Sequence, residues 1–171
     1  MARQSLYTGK SGQLAVMAEF VSRGYNVAVP EVDVGDDLFV VRDEDGELSR
    51  VQVKTANARE LVEGGYGAAF KVPRRQLETP HRPEMNYVFA VRCDDRWNDF
   101  LVIDRKSLYD LHAVHEIGTE LDGSVVFALT FSNDDVSCKG QSLRAHRNDW
   151  SRWPRIRHTT RASAPSGEAE P

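Results

Sequence analysis

With 171 residues and a mass of 19.3 kDa, the chain has the length of one ordinary domain and leaves little room for a second. Hydrophobic residues make up 40% and charged residues 28%, which supplies a core and excludes a wholly disordered chain. The formal net charge of −4 speaks, as a whole-chain figure, against a protein built to live on nucleic acid. No apolar core of a signal peptide follows Met1, and no run of about 18 apolar residues occurs, so a cytoplasmic protein without a membrane span is expected. Cys93 and Cys138 are far apart and lack CxxC spacing, which removes a disulfide framework and a zinc knuckle.

In chain order, residues 11–23 have helical spacing: Leu14, Met17, Ala18 and Val21 recur, Ser11 can cap the start, and Gly24 suits a left-handed stop. Strands are expected over 25–29, 37–42 and 50–54, the last two joined by a turn centred on Asp45-Gly46. Further strands are expected over 68–72, 87–92, 100–103 and 125–131. Asp104 can cap a helix running through Leu108 and Leu111, and a last helix is expected over 142–153. This order predicts an α/β domain, residues 1–155, with a mixed central β-sheet flanked by helices. Residues 156–171 read as a basic, then disordered tail, ending in small and polar residues.

A two-residue turn at Asp45-Gly46 would set Lys54 opposite Asp37 and Gln52 opposite Phe39. Because side chains alternate along a strand, Asp37, Gln52 and Lys54 then share one face at the open end of the hairpin, while Val51 and Val53 pack on the other. Glu19 stands on the first helix in a narrow polar sector with Ser22 and Arg23. Each of these residues alone is readily explained as a solvated or strand-ending side chain; together they form a pattern.

Glu19 on the helix, Asp37 within VDVGDDLFVV, and Gln52 with Lys54 within VQVKT resemble the PD-(D/E)XK nuclease superfamily of restriction-endonuclease-like proteins. The likeness covers about residues 10–56 and is closest to the branch that carries glutamine at the second acidic position, the QxK form. It implies Mg²⁺, with Mn²⁺ as a substitute, held by Asp37, by Glu19 directly or through water, by the Gln52 amide oxygen and by the Val53 main-chain carbonyl. Lys54 would serve as general base or hold the water and phosphate in line. Asp37 is preferred to Asp36 because it directly precedes Leu38 and fits the register. A neutral glutamine leaves one negative charge fewer than the common form, which predicts weaker metal affinity.

Other motifs carry less. Gly9-Lys10-Ser11 lacks the upstream glycine of a phosphate-binding loop, because Gln4 stands there. His112 and His115 have no third ligand at a sensible spacing, no GxSxG elbow occurs, and Gly64 to Gly67 read as a flexible loop.

Charge is segregated along the chain. Residues 1–138 carry 15 basic and 23 acidic groups, whereas 139–161 carry seven basic groups against Asp149 alone. In that segment Trp150 and Trp153 interleave with Arg144, Arg147, Arg152 and Arg155, a composition that suits phosphate contact with base stacking, and equally a last helix docked by its tryptophans with a solvated basic face. The expected function is therefore a metal-dependent endonuclease hydrolysing DNA phosphodiester bonds, with DNA as partner and a homodimer as a way to place two sites on a duplex. The rival readings are a catalytically silent DNA-binding or protein-interaction module of the same fold, and an immunity-type accessory protein.

Overall fold

Alternating burial in β segments such as 66–73 and 124–131, continuous burial over 85–91, and few helical stretches between them give two sheets and one long helix in the computed structural model, which describes residues 2–32, 35–62 and 64–156. Helix α1 spans Ala2–Ser22 and ends at Gly24, whose φ of +94° is the left-handed stop expected from sequence. The first sheet contains β1 (Asn26–Ala28), β2 (Leu38–Arg42), β3 (Glu47–Asn57), β6 (Met85–Cys93) and β7 (Arg96–Asp104), in the order β1-β2-β3-β6-β7. Only β3 and β6 run parallel in it, so the sheet is mixed as expected.

A second sheet covers one face of the first. Its strands are β4 (Arg59–Glu60), β5 (Tyr66–Pro73), β8 (Thr119–Leu121), β9 (Ser124–Phe131), β10 (Val136–Cys138) and β11 (Gln141–Ser142). Helices α2 (Arg74–Glu78) and α3 (Arg105–His115), together with a 3-10 turn at Arg144–His146, complete the regular elements among the described residues. Asp104 caps α3 by accepting from the Ser107 N–H at 2.9 Å.

Two cores hold these layers. Between the sheets pack Phe70, Phe89, Phe127, Leu101 and Ile103, with Leu108 of α3. Between α1 and the first sheet pack Val16, Phe20, Val51, Val53, Trp150 and Trp153. Each fully buried side chain of this size contributes about 1.5–3 kcal/mol, so both faces of the first sheet are committed to packing. Gly12 sets how closely α1 lies on β3: a Cβ there would collide with the Thr55 methyl and stand 2.9 Å from the Trp97 ring.

The segment expected as a helix over 142–153 is instead a strand end, one 3-10 turn and irregular backbone. The edge of β7 prevents the helix. Arg147 bridges to Leu101, the Asn148 N–H donates to the Phe100 carbonyl at 2.7 Å, and the Asn148 side chain accepts from the Phe100 N–H at 2.8 Å. Those bonds require extended backbone at Arg147 and φ +51° at Asn148, so tertiary pairing overrides the helical pattern. The expected tail lies outside the described residues except for Ile156, whose N–H donates to the Arg23 carbonyl at 2.8 Å, and Arg157 and Arg161 lie outside them too. Among the described residues, no helix is long and apolar enough to cross a membrane.

Arg105 anchors α2. Its buried guanidinium donates to Glu84 at 2.7 and 2.9 Å and to the Leu77 carbonyl at 2.8 Å. The hydrogen bonds from Arg105 hold the Glu84 carboxyl below its ordinary range. A depressed carboxyl adds stability above its unfolded pKa of about 4.3, and that stability is lost as pH falls through the lower folded value. Arg105→Ala is expected to cost about 3 kcal/mol in urea unfolding at pH 7. The penalty of Glu84→Gln should shrink as the pH is taken below 4. Gly12→Ala should cost about 1–3 kcal/mol by overpacking, read from the same unfolding curves.

Candidate active site

The site follows from β3 outrunning its neighbour. Val51 and Val53 face α1, which puts Arg50, Gln52 and Lys54 on the opposite side of the strand. Gln52 lies beside Tyr87 and Lys54 beside Phe89 of β6, residues of the inter-sheet core, so the polar side chains stand at that core's rim.

β2 begins at Leu38, opposite Val51, and β3 runs on past it. In a strand the N–H and C=O of one residue point to the same neighbour, so Val53 directs both toward the place β2 has left. Asp37 fills it. Its Oδ2 accepts from the Val53 N–H at 2.7 Å and also from the Gln52 side-chain amide, while its own N–H donates to the Val51 carbonyl at 3.0 Å. The Val53 carbonyl lies 3.5 Å from Gln52 Nε2.

The register differs from the expected one. Four residues, 43–46, form the loop, so Leu38 faces Val51 and Phe39 faces Arg50, each pairing displaced by two positions. The Asp45 carboxylate causes the longer loop: it accepts from Arg42 Nε and from the Glu47 N–H, both at 3.0 Å, and the Gly46 N–H closes on the Arg42 carbonyl at 2.8 Å. The hydrogen bond from Arg42 pulls the Asp45 carboxyl down to about 2. A displacement of two leaves every side chain on its face, so Asp37 still meets Gln52.

Asp36 and Asp37 have separate roles. Asp36 is buried at 2% exposure and bound by Arg50 through Nε at 3.0 Å and a terminal nitrogen at 2.6 Å. Asp37, half-buried, is the acid beside Gln52. Arg50 also reaches His81 Nδ1 at 3.1 Å.

Glu19 is not brought to this place. It pairs with Arg23 at 3.6 Å, one turn along α1. The α1 residue at the site is Gln13, whose amide donates to the Asp37 carbonyl at 2.9 Å. Six positions along α1 set the two about 120° apart around the helix and about 9 Å apart along it, so both cannot reach the same place. The helix-interior Gly12 was the sequence signal for close approach here, and its neighbour Gln13 is the residue that approach delivers.

Beside Gln52 opens a cleft of about 480 Å³ lined by Lys54, Arg75, Gln76, Thr79 and His81 among others. Gln76, from α2, donates its amide to Gln52 Oε1 and to the Gly35 carbonyl, both at 2.8 Å. Gly35 has φ +100°, and a Cβ there would stand 2.8 Å from Gln76 Nε2. No spacing in the sequence indicated Gln76 or His81, because a short helix after β5 brings them in from a distant part of the chain.

Among the described residues, no group of three or more His, Cys, Asp or Glu side chains is arranged to hold a metal ion. The donors beside Asp37 are its carboxylate, the Val53 carbonyl and, with the amide turned, the Gln52 oxygen. This all-oxygen set of single charge suits a hard cation that keeps several of its waters.

At the C-terminal segment the structure corrects the aromatic half of the expected nucleic-acid surface. Trp150 and Trp153 are 6% and 3% exposed, edge-on to Phe20 at 5.4 and 5.0 Å, so neither offers a face to a base. Arg147 donates to Asp99 at 2.7 Å and to the Ser132 carbonyl at 2.9 Å, which spends it on structure. Arg144, Arg152 and Arg155 are exposed; Arg152 lies over the Trp153 ring, and Arg155 donates to the Ser22 carbonyl at 3.0 Å.

No family model matches the chain, and no curated protein does. Among solved structures, that of a bacterial homing endonuclease, I-Ssp6803I, is similar with a TM-score of 0.55, covering 84% of this chain and 86% of that one at 18% sequence identity. The mixed α/β architecture built around Asp37, Gln52 and Lys54 is thus a fold shared with a homing endonuclease.

Proposed function

We propose that the chain is a Mg²⁺-dependent endodeoxyribonuclease of the PD-(D/E)XK superfamily in its QxK form. One observation carries the reading: Asp37, Gln52 and the Val53 main chain meet just before β2 begins, and Lys54 lines the adjoining cleft from the same strand face. The likeness to a homing endonuclease supports DNA as the substrate.

In this reading Asp37 is the charged cation ligand, with the Val53 carbonyl and the Gln52 oxygen beside it. When bound, the cation supplies Lewis-acid polarisation of the phosphoryl oxygen and lowers the pKa of water. Gln13 and the Val53 N–H hold Asp37 from two sides, so its carboxylate is positioned before substrate arrives. Lys54 orients the attacking water and offsets charge on the phosphate as the bond to the leaving oxygen breaks. Gln76 fixes the side chain of Gln52, and the amide must turn for its oxygen to face the cation.

A second reading has its own support. The Asp37 carboxylate accepts from an amide and a backbone N–H, and Glu19 lies elsewhere, which is also how a DNA-binding module that has lost turnover would be built. Incubation with plasmid, linear and branched DNA in Mg²⁺, Mn²⁺ or EDTA separates the two. The proposal expects cation-dependent cutting that falls about a hundredfold or more in Asp37→Asn and in Lys54→Ala. Binding without cutting under all these conditions selects the silent module.

Gln52→Glu adds a carboxylate beside Asp37. It is expected to lower the Mg²⁺ concentration for half-maximal activity by about tenfold, since cation affinity follows ligand charge. An unchanged or raised requirement would remove Gln52 from the cation site.

A further inference from the structure

The amides of Gln52 and Gln76 face each other in an order set from both ends. At one end the Asp37 carboxylate accepts from Gln52 Nε2, and at the other the Gly35 carbonyl accepts from Gln76 Nε2 at 2.8 Å. Carboxylate and carbonyl oxygens only accept, so each amide must turn its nitrogen to its own end. The second proton of Gln76 Nε2 then goes to Gln52 Oε1, also at 2.8 Å. Gln76 Oε1 is buried and has no hydrogen-bond partner, so the two donated bonds alone set that amide.

Both bonds of Gln76 rest on fixed neighbours. Gly35 has φ +100°, and its backbone stands so close that a Cβ would lie 2.8 Å from Gln76 Nε2. On α2 the adjoining Leu77 is fully buried, and its carbonyl accepts from Arg105 at 2.8 Å. For Gln52 to bring its oxygen round to the side of Asp37, its nitrogen must take the place facing Gln76 Nε2, donor against donor. If Gln76 turns as well, its oxygen meets the Gly35 carbonyl, acceptor against acceptor. Either turn gives up a hydrogen bond and sets like groups together.

We propose that Gln76 is a positioning residue that holds Gln52 nitrogen-first against Asp37 and so keeps the divalent-cation affinity of the site below what its oxygen donors allow. The inference rests on the reading of Asp37 and Gln52 as cation ligands and adds the residue that restrains them. Its sign reverses with one substitution. In Gln52→Glu the carboxylate accepts from Gln76 with one oxygen and presents the other toward Asp37, so no turn is needed and Gln76 supports the ligand it restrained before.

The test uses the full chain without DNA. Mn²⁺ binding, read from the electron paramagnetic resonance of the free ion, is compared in wild type, Gln76→Leu, Gln52→Glu and the double variant, with Asp37→Asn marking the site. Gln76→Leu is expected to bind Mn²⁺ about fivefold more tightly than wild type, the weight of one hydrogen bond. In the Gln52→Glu background the same change should give no gain or a loss, and Gln76→Met should repeat both results. In nitrogen–proton NMR spectra, the side-chain amide signals of Gln52 and Gln76, assigned with these variants, should both shift when Mg²⁺ is added. Unchanged affinity in Gln76→Leu and Gln76→Met, an equal gain in both backgrounds, or a Gln76 amide indifferent to Mg²⁺ overturns this inference alone. Absent Mn²⁺ binding, or binding that survives Asp37→Asn, overturns the cation-site reading and this inference with it. A chain that shows the reversal of sign yet cuts no DNA loses the hydrolase reading alone.

Discussion

The hydrogen bond from the Val53 N–H to Asp37, 2.7 Å long, is the contact on which the rest of the candidate site depends. A strand that extends past its neighbour leaves backbone donors and acceptors that must be satisfied, because a buried unpaired N–H costs as much as a lost hydrogen bond. Here a carboxylate takes the place of the absent strand. That solution fixes Asp37 against β3 and exposes the Val53 carbonyl on the same side. It also draws the Gln52 amide in, so three oxygen-bearing groups gather without a dedicated loop. The position is stiffened from outside by α1, which Gly12 allows to approach until Gln13 reaches the Asp37 carbonyl.

Neighbouring acids of the same sequence triplet are used in opposite ways. Asp36 is buried and neutralised by Arg50, a bidentate pair whose orientation is rigid. Its value is geometric: Arg50 cannot turn without unpairing a buried carboxylate, so whatever Arg50 touches is oriented as well. His81 is what it touches. The cleft is therefore framed on one side by Asp37 and Gln52 and on the other by a histidine whose Nδ1 meets the Arg50 guanidinium at 3.1 Å.

The hairpin shows why so much of this site could be read from sequence although its register could not. The expected two-residue turn is a four-residue loop, since the Asp45 carboxylate prefers Arg42 and the Glu47 N–H to a tight reversal. Facing pairs move by two, yet the alternation of Asp37, Gln52 and Lys54 survives, because a period of two is blind to even displacements. Helical position has no such tolerance. Glu19 and Gln13 stand about a third of a turn apart, and which of them meets the site depends on the packing of Gly12 against Thr55, which periodicity does not encode. The segment after Ser142, expected as a helix, differs for another reason: its buried Leu143, Trp150 and Trp153 belong to a backbone pinned to β7 by Asn148. α2, five residues long, falls below the length at which spacing identifies a helix, and Gln76 and His81 were lost with it.

The segregation of charge takes a different form in three dimensions. Much of the positive C-terminal segment is occupied: Arg147 by Asp99, Arg152 by the Trp153 ring, Arg155 by the end of α1. Acids of the negative body are likewise paired inside it, Asp36 with Arg50 and Glu84 with Arg105. At physiological ionic strength exposed charges fade over about 8 Å, so a ligand entering the cleft experiences its walls more than the total of the chain. Among the described residues those walls hold Lys54, Arg75 and His81 and no carboxylate. A net charge of −4 and a cleft wall of basic side chains are therefore compatible, and the local sign is decided by which side chains β3, α2 and the residues after α2 turn toward one another.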